Sequence, residues 1–149
     1  MKKKKPAKWI MAAGIAVLLA VVVAVSSLSG GEGNTKRFVK NNAAELTQYA
    51  ETMLQTASDG EQDMYDGYEV TCWPSTSMVE FIASGKGLTP SAVYEGFYYS
   101  PQDIPLGFQG TQAEFTADGD GWTWEEPGGD NWEYTEKIQD QWYWFEMHF

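Results

Sequence analysis

From residue 68 to the last residue, the sequence repeats one scheme, in which stretches rich in β-branched and aromatic residues alternate with Gly, Pro and Asp. Such stretches predict β-strands, and the Gly-Asp pairs between them predict tight turns. The predicted strands are residues 68–73, 77–84, 91–100, 111–117, 122–126, 132–138 and 141–149. Because the strands are short and closely spaced, we expect an antiparallel β-meander of about five to seven strands.

The segment ahead of the strands has the periodicity of a helix. Its apolar side chains recur every three or four residues, at Phe38, Val39, Ala43, Leu46, Tyr49, Ala50, Met53, Leu54 and Ala57. Asn34 or Thr35 is suited to cap the start of this helix, and Gly60 to follow its end. An apolar stripe needs a cover, which one face of the sheet supplies. Residues 34–149 are therefore predicted to form one α+β domain, an amphipathic helix packed on the meander.

The amino terminus has the pattern of a membrane signal-anchor. Residues 9–28 contain no charged side chain, and they follow a cluster of five lysines within residues 2–8. Twenty helical residues rise about 30 Å, which is enough to cross the hydrocarbon core of a bilayer. Under the positive-inside rule, residues 1–8 stay in the cytoplasm and the domain lies beyond the membrane, after a linker at residues 29–33.

Two fates of this segment are open. Small residues at positions 24, 26, 27 and 29 match the pattern that signal peptidase cleaves, and cleavage would release a secreted protein. The apolar run is longer than that of a usual cleaved signal, which favours an uncleaved, single-pass transmembrane helix. The membrane is therefore the first predicted partner of the chain.

Charge divides the chain into a basic amino terminus and an acidic remainder. Residues 32–149 contain all 21 Asp and Glu but only five basic residues, a formal charge of −16. Such a surface repels phosphate groups, so nucleic acid is not an expected partner. The sequence also has no Gly-rich phosphate loop, so no nucleotide is expected. An acidic field suits cationic partners or divalent ions, although it also serves solubility alone.

The chain has one Cys and one His, and no cofactor or metal is predicted. Cys72 has no partner for an internal disulfide, and its alternation with Tyr68 and Val70 predicts a buried side chain. A Cys72–His148 catalytic pair stays open, because residues that are neighbours in space need not be neighbours in sequence. One His without a Cys pair argues against zinc. The acidic segments 59–67 and 118–121 lack the ligand spacing of an EF-hand and are predicted to be loops or turns.

Carboxylates on the predicted hairpins raise the possibility of glycoside hydrolysis. Those on the last three predicted strands are Glu125, Glu126, Glu133, Glu136 and Glu146. Neighbouring strands could hold two of them at the ~5–9 Å separation that glycosidases use. A very small antiparallel domain seldom forms a deep cleft, so we assign no catalytic residue.

Five of the seven Trp residues lie in the last 28 residues. On the last strand, Trp142 and Trp144 point one way, whereas Tyr143, Phe145, Met147 and Phe149 point the other way and form a wholly apolar face. We predict that this apolar face meets the helix. The opposite face would then collect six aromatic residues as cross-strand pairs. These six are the candidate ligand-binding residues: Trp122, Trp124, Trp132, Tyr134, Trp142 and Trp144.

Two interpretations of the six rings compete. They either stack on one another as the core of the sheet, or stay open as a platform for a protein or glycan partner. On the second interpretation, the chain is a membrane-anchored extracytoplasmic binding module without enzymatic activity. The alternatives are a structural accessory subunit of a surface or secretion assembly, and a small cell-envelope hydrolase.

Overall fold

The computed structural model describes residues 31–88 and 91–149, which form one helix and one sheet. The helix is α1 (Glu32–Thr56). The strands are β1 (Glu61–Tyr65), β2 (Tyr68–Trp73), β3 (Met78–Lys86), β4 (Val93–Tyr99), β5 (Thr116–Asp118), β6 (Gly121–Glu125), β7 (Trp132–Gln139) and β8 (Trp142–His148). The predicted α+β class, with one helix on an antiparallel sheet, is confirmed. The predicted number of five to seven strands is wrong, because the sheet has eight.

The additional strand is β1, which the sequence analysis assigned to an acidic loop. It is an edge strand, and all its residues except Tyr65 are exposed, so it shows no alternation of buried and exposed residues. Its hairpin with β2 turns through Asp66 and Gly67, both with positive φ (48° and 86°). An Asp-Gly pair between two strands is one of the strongest hairpin signals. The Asp66-Gly67 pair was therefore the feature of the sequence from which β1 could have been predicted.

The strand order is β1-β2-β3-β4-β8-β7-β6-β5, and every neighbouring pair is antiparallel. The sheet therefore consists of two four-stranded meanders, which join at the β4–β8 pair. Residues 100–115, here called the connection, lead from β4 in the middle of the sheet to β5 at its far edge. The structure is thus not the single continuous meander that strand spacing predicted.

Helix α1 packs on one face of the sheet, which we call the helix face. Its residues Val39, Leu46 and Ala50 are wholly buried and belong to one core with Phe81 and Phe97, whose rings stack with centroids 4.6 Å apart. The helical periodicity of the sequence therefore identified the buried stripe correctly.

The predicted ends of the helix are wrong. The helix begins at Glu32, so residues 32 and 33 of the predicted linker are helical, and Thr35 is a buried residue inside α1. No side chain caps the start, and the chain leaves the helix at Ala57, before Gly60. Thr35 cannot be the cap, because the helix has already begun three residues before it.

The predicted orientation of β8 is also wrong. Trp142 and Trp144 lie on the helix face, whereas Tyr143, Phe145 and Met147 lie on the opposite face under the connection, which we call the loop face. The prediction assumed that only the helix could cover a wholly apolar face. The connection supplies its own apolar residues, Leu106 and Phe108, for that purpose. The helix in turn supplies the hydroxyl of Thr47, which accepts a 3.1 Å hydrogen bond from Trp142 Nε1.

Within residues 31–88 and 91–149, no helix has the length and apolar character needed to span a membrane. The predicted transmembrane segment at residues 9–28 and the predicted cytoplasmic segment at residues 1–8 lie outside the described residues. Both stay predictions from the sequence.

Gly96, in the middle of β4, offers a test of how closely β4 packs against Phe81 of β3 and Phe145 of β8. A Cβ added there would overlap the carbonyl oxygen of Phe81 and approach the ring of Phe145 to 2.8 Å. We expect Gly96→Ala to lower the free energy of unfolding by about 1–3 kcal/mol, measured by urea denaturation. Gly33→Ala is the control, because a Cβ on this helical residue has no atom within 4 Å. It should raise the free energy of unfolding by about 0.5–1 kcal/mol, and equal losses in both variants would contradict the packing argument.

Candidate functional site

A cleft of about 500 Å³ opens on the helix face, beside the first turn of α1 and over β5–β8. We call it the acidic cleft. Three of its lining residues are aromatic and four are carboxylates, and they are Glu32, Asp118, Thr123, Glu125, Trp132, Tyr134, Trp144 and Glu146. It contains no Lys or Arg among these lining residues, so its formal charge is negative.

Strand register brings the acidic and aromatic side chains together. In one row across the sheet, Glu125 pairs with Trp132, and Trp132 pairs with His148. In the next row on the same face, Tyr134 pairs with Glu146. Because side chains two residues apart along a strand share a face, each ring has carboxylates beside it.

Trp132 is the most exposed ring of the cleft, at 36 %. Its indole stacks on the imidazole of His148, with centroids 3.8 Å apart and planes 14° apart. A hydrogen bond joins His148 Nε2 to Glu146 Oε1 and holds the imidazole in place. Trp132 is thus a supported ring that is still partly open to solvent.

The side chain of Lys36 shows that this surface can bind an ammonium group. Lys36 Nζ lies 2.6 Å from Glu32 Oε1, 2.9 Å from Glu136 Oε1 and 5.3 Å from the centroid of the Trp144 ring. Burial lowers the pKa of Lys36, but the bonds to Glu32 and Glu136 outweigh it, so the net shift is upward. An ammonium group is therefore stable here between carboxylates and an indole face.

Trp144 also carries an unused hydrogen-bond donor. The side chain is only 4 % exposed, and its buried Nε1 has no acceptor among the described residues. Leaving a buried donor unpaired costs about 1–3 kcal/mol. Trp144 lines the acidic cleft, but its Nε1 is closed to solvent, so the unpaired donor belongs to the packing beneath the cleft.

The six predicted ligand-binding residues do not share one surface. Trp132, Tyr134 and Trp144 line the acidic cleft. Trp142 lies on the same face but is 1 % exposed beneath α1. Trp122 and Trp124 pair with Thr135 and Glu133, and this register puts them on the loop face. The predicted six-ring surface is therefore wrong in its geometry, and ligand binding by any of the six stays a prediction.

The sequence analysis missed two carboxylates of the cleft. Glu32 was placed in the linker, and Asp118 was treated as a turn residue. Strand parity showed that Thr123 and Glu125 face away from Trp122 and Trp124, but it gave no signal for Glu32 or Asp118. Without the register, that parity did not show which aromatic residues the carboxylates would join.

Two other carboxyl groups are buried on the loop face, where they hold the connection. Glu80 and Glu133 are 2 % and 1 % exposed. Glu80 Oε1 accepts a 2.8 Å hydrogen bond from the Gln109 backbone N–H, and Glu133 Oε2 accepts a 3.0 Å bond from the Phe108 N–H. Nearby, the Leu106 N–H donates to the Tyr98 hydroxyl at 3.0 Å. Glu133 is thus separated from Glu125, Glu136 and Glu146, and it does not form the carboxylate pair that the sequence left open.

Burial raises the pKa of both buried carboxyl groups. The pKa of Glu80 is about 7, although the hydrogen bond from Gln109 opposes the shift. The pKa of Glu133 is about 8, and the charge of Glu80 adds to the effect of burial. Glu133 Oε1 is buried without a partner among the described residues, which further disfavours the charged form.

Cys72 and His148 do not form a catalytic pair. Strands β3 and β4 lie between β2 and β8, so the two residues are roughly 14 Å apart across the sheet. The residue of β8 in the same row as Cys72 is Trp142, and His148 lies six residues farther along the strand, which is about 20 Å. Cys72 is wholly buried, and burial raises the pKa of its thiol to about 11. Among the described residues, no group of three or more His, Cys, Asp or Glu is arranged to hold a metal ion.

No protein-family model, curated protein or solved structure matches this chain.

The buried carboxyl groups predict how stability depends on pH. Their folded pKa values of about 7 and 8 lie above that of a solvated glutamate, ~4.3. The stability that they contribute is complete below about pH 4 and is lost as the pH rises through 7 and 8. We expect the free energy of unfolding to fall as the pH rises over this range, by at most ~1.4 kcal/mol for each unit of difference between the folded and unfolded pKa values.

Glu133→Gln keeps the shape of the side chain and removes its charge, so it should flatten this fall. Urea denaturation at several pH values between about 5 and 8 measures the effect. Glu125→Gln, which alters an exposed carboxylate, is the control and should keep the wild-type slope. An unchanged slope in Glu133→Gln would show that this carboxyl group is not the titrating one.

Proposed function

We propose that residues 32–149 form a membrane-anchored extracytoplasmic binding module, which recognises a positively charged partner through the acidic cleft. The observation that supports the proposal is the combination of three aromatic side chains and four carboxylates around one opening. The proposal keeps the binding class that the sequence predicted. It moves the site from a six-ring surface to a cleft with three of those rings.

An ammonium or guanidinium group fits this chemistry. Carboxylates attract such a group, and ring faces add a favourable interaction of about 0.5–2 kcal/mol per contact. The contact of Lys36 with Glu32, Glu136 and Trp144 is an internal example. Phosphate-bearing ligands are disfavoured by the three carboxylates of the opening other than Glu32, which pairs with Lys36.

The membrane part of the proposal is supported by the sequence of residues 1–28 alone. A lysine cluster followed by an apolar run of this length directs the remainder of the chain across a membrane. Anchored there, the acidic cleft would be presented to cationic groups outside the cytoplasm.

One observation weakens the alternative of an accessory subunit that works through helix packing. The apolar stripe of α1 is buried on its own sheet, with Val39, Leu46 and Ala50 all inaccessible to solvent. No such stripe is left on the described helix for a partner helix. The hydrolase alternative stays a prediction without further support.

Titration of the full-length protein with a blocked tri-lysine peptide tests the proposal. We expect saturable binding with a dissociation constant of about 10⁻⁵–10⁻³ M, seen as a change in tryptophan fluorescence and weakened by added salt. A blocked tri-glutamate peptide should not bind. Absence of saturable tri-lysine binding would overturn the proposal.

Two matched variants separate the acidic cleft from the overall acidic field. Glu125→Gln removes one exposed carboxylate of the cleft and should weaken tri-lysine binding about threefold to fivefold, as for one partly exposed ion pair. Glu45→Gln makes the same change on the exposed side of α1 and should have no effect. Equal weakening in both variants would show that the net charge, not the cleft, attracts the peptide.

A further inference from the structure

One end of the sheet lies beside the start of α1, and we call it the entry end. A single row of paired residues crosses five strands there: Lys86, Val93, His148, Trp132 and Glu125. Glu32, the first residue of α1, lines the acidic cleft together with Trp132 of this row. The helix then runs toward the opposite end, where Thr47 accepts a hydrogen bond from Trp142, the first residue of β8. The chain that precedes α1 therefore joins the domain at the entry end.

The short distance in sequence between the predicted membrane segment and α1 keeps the entry end close to the bilayer. The predicted segment ends at residue 28, and α1 begins at Glu32. Four residue steps reach at most about 14 Å, even when fully extended. The headgroup layer on one side of a bilayer takes up roughly 5–8 Å of that distance. With the predicted anchor in place, the first turn of α1 therefore lies at the outer boundary of the headgroups.

Exposed apolar side chains are concentrated at the same end. Among the described residues, five large apolar side chains are exposed, and Leu88, Trp132 and Phe149 lie in the entry-end row or within two residues of it. Leu88 is the most open of the five, at 81 %. The other two are Met64 on β1 and Ile104 in the connection, at the opposite end of the sheet. An aromatic ring and an aliphatic side chain at one end are suited to the interfacial layer of a bilayer, where Trp is enriched.

Charged groups of both signs accompany these side chains. Arg37 and Lys40 are exposed near the start of α1, and Lys86 belongs to the entry-end row. None of these three forms an ion pair with another residue of 31–88 or 91–149. The loop between β6 and β7, at the same end, carries Glu126 and Asp130. A phospholipid headgroup with one phosphate and one ammonium group has a partner here for each of its charges.

We propose that the entry end of the sheet rests on the outer surface of a zwitterionic phospholipid bilayer, with Leu88 and Trp132 in its interfacial layer. This inference rests on the membrane anchor of the proposed function. The strands then stand on the membrane, and β7 alone carries the opposite end roughly 23 Å farther from it. The acidic cleft, beside Glu32 and Trp132, opens at the level of the headgroups, so it meets partners at the membrane surface.

Two matched labelling sites test this orientation. Asp130 and Asp140 are both exposed, and they lie in the turns that precede and follow β7. Cys72 is wholly buried, so a thiol-reactive fluorophore labels the new thiol of Asp130→Cys or Asp140→Cys. The full-length protein is placed in phosphatidylcholine vesicles with nitroxide-labelled headgroups. We expect several-fold stronger quenching at position 130 than at position 140, and equal quenching at both would overturn the inference.

A second pair of variants separates docking of the entry end from mere tethering. In the Asp130→Cys protein, Leu88→Asp should weaken docking about tenfold, because it removes a large apolar side chain from the interface. Quenching should then fall toward the value at position 140. Ile104→Asp makes the same change on an exposed residue at the opposite end and should leave quenching as it was. Unchanged quenching in Leu88→Asp would show that the anchor alone holds the domain near the bilayer, which overturns the inference.

Two further readouts identify which proposal fails. Flotation of the vesicles reports the anchor itself: a protein that does not float with them would overturn the membrane part of the proposed function. A protein that floats, but has equal quenching at positions 130 and 140, would overturn the docking alone. Shielding of the fluorophore at position 130 in detergent, growing with protein concentration, would show that a second copy covers this end and would also overturn the docking.

Discussion

The fold depends on the pairing of β4 with β8. All other strand pairs are between neighbours in sequence, whereas Val93–Tyr99 and Trp142–His148 are about 40 to 55 residues apart. Closing so long a loop costs entropy, which the contacts along these strands must offset. They do so because both strands are buried on both faces along much of their length: Phe97 and Trp142 contact the helix side, and Tyr98 and Tyr143 stack 5.3 Å apart on the other. The aromatic density of β8 is thus first a requirement of this central position.

Helix α1 covers one face of these central strands and the connection covers the other, and each cover requires different buried polar groups. On the helix face, the Thr47 hydroxyl satisfies the indole N–H of Trp142. On the loop face, the connection is irregular backbone, and its buried N–H groups need acceptors. Glu80 and Glu133 supply them from two strands. A carboxyl group is an expensive acceptor to bury, which is why the pKa values of both groups rise although the hydrogen bonds from the connection oppose the shift.

The sequence predicted what depends on local periodicity and missed what depends on register. The stripe containing Val39, Leu46 and Ala50 and the alternation of β2 were both readable from spacing alone. Strand β1 was missed because an exposed edge strand has no apolar alternation. Parity placed Trp122 with Trp124 and Trp132 with Tyr134, but only the β6–β7 register shows that these two pairs face opposite ways. Three rings of the candidate site and two of its carboxylates, Glu125 and Glu146, were therefore named from the sequence, whereas Glu32, Asp118 and the grouping of these side chains were not.

The acidic cleft follows from the difference in size between the helix and the sheet. Eight strands span about 34 Å at ~4.8 Å per strand, whereas one helix with its side chains is about 10 Å wide. Helix α1 contacts β2, β3, β4, β7 and β8 and leaves the end at β5 and β6 without cover. Exposed rings beside an open edge invite association between chains, and charged side chains at such an edge prevent it. Asp118 and Glu125 are such charged side chains at the open end of this sheet.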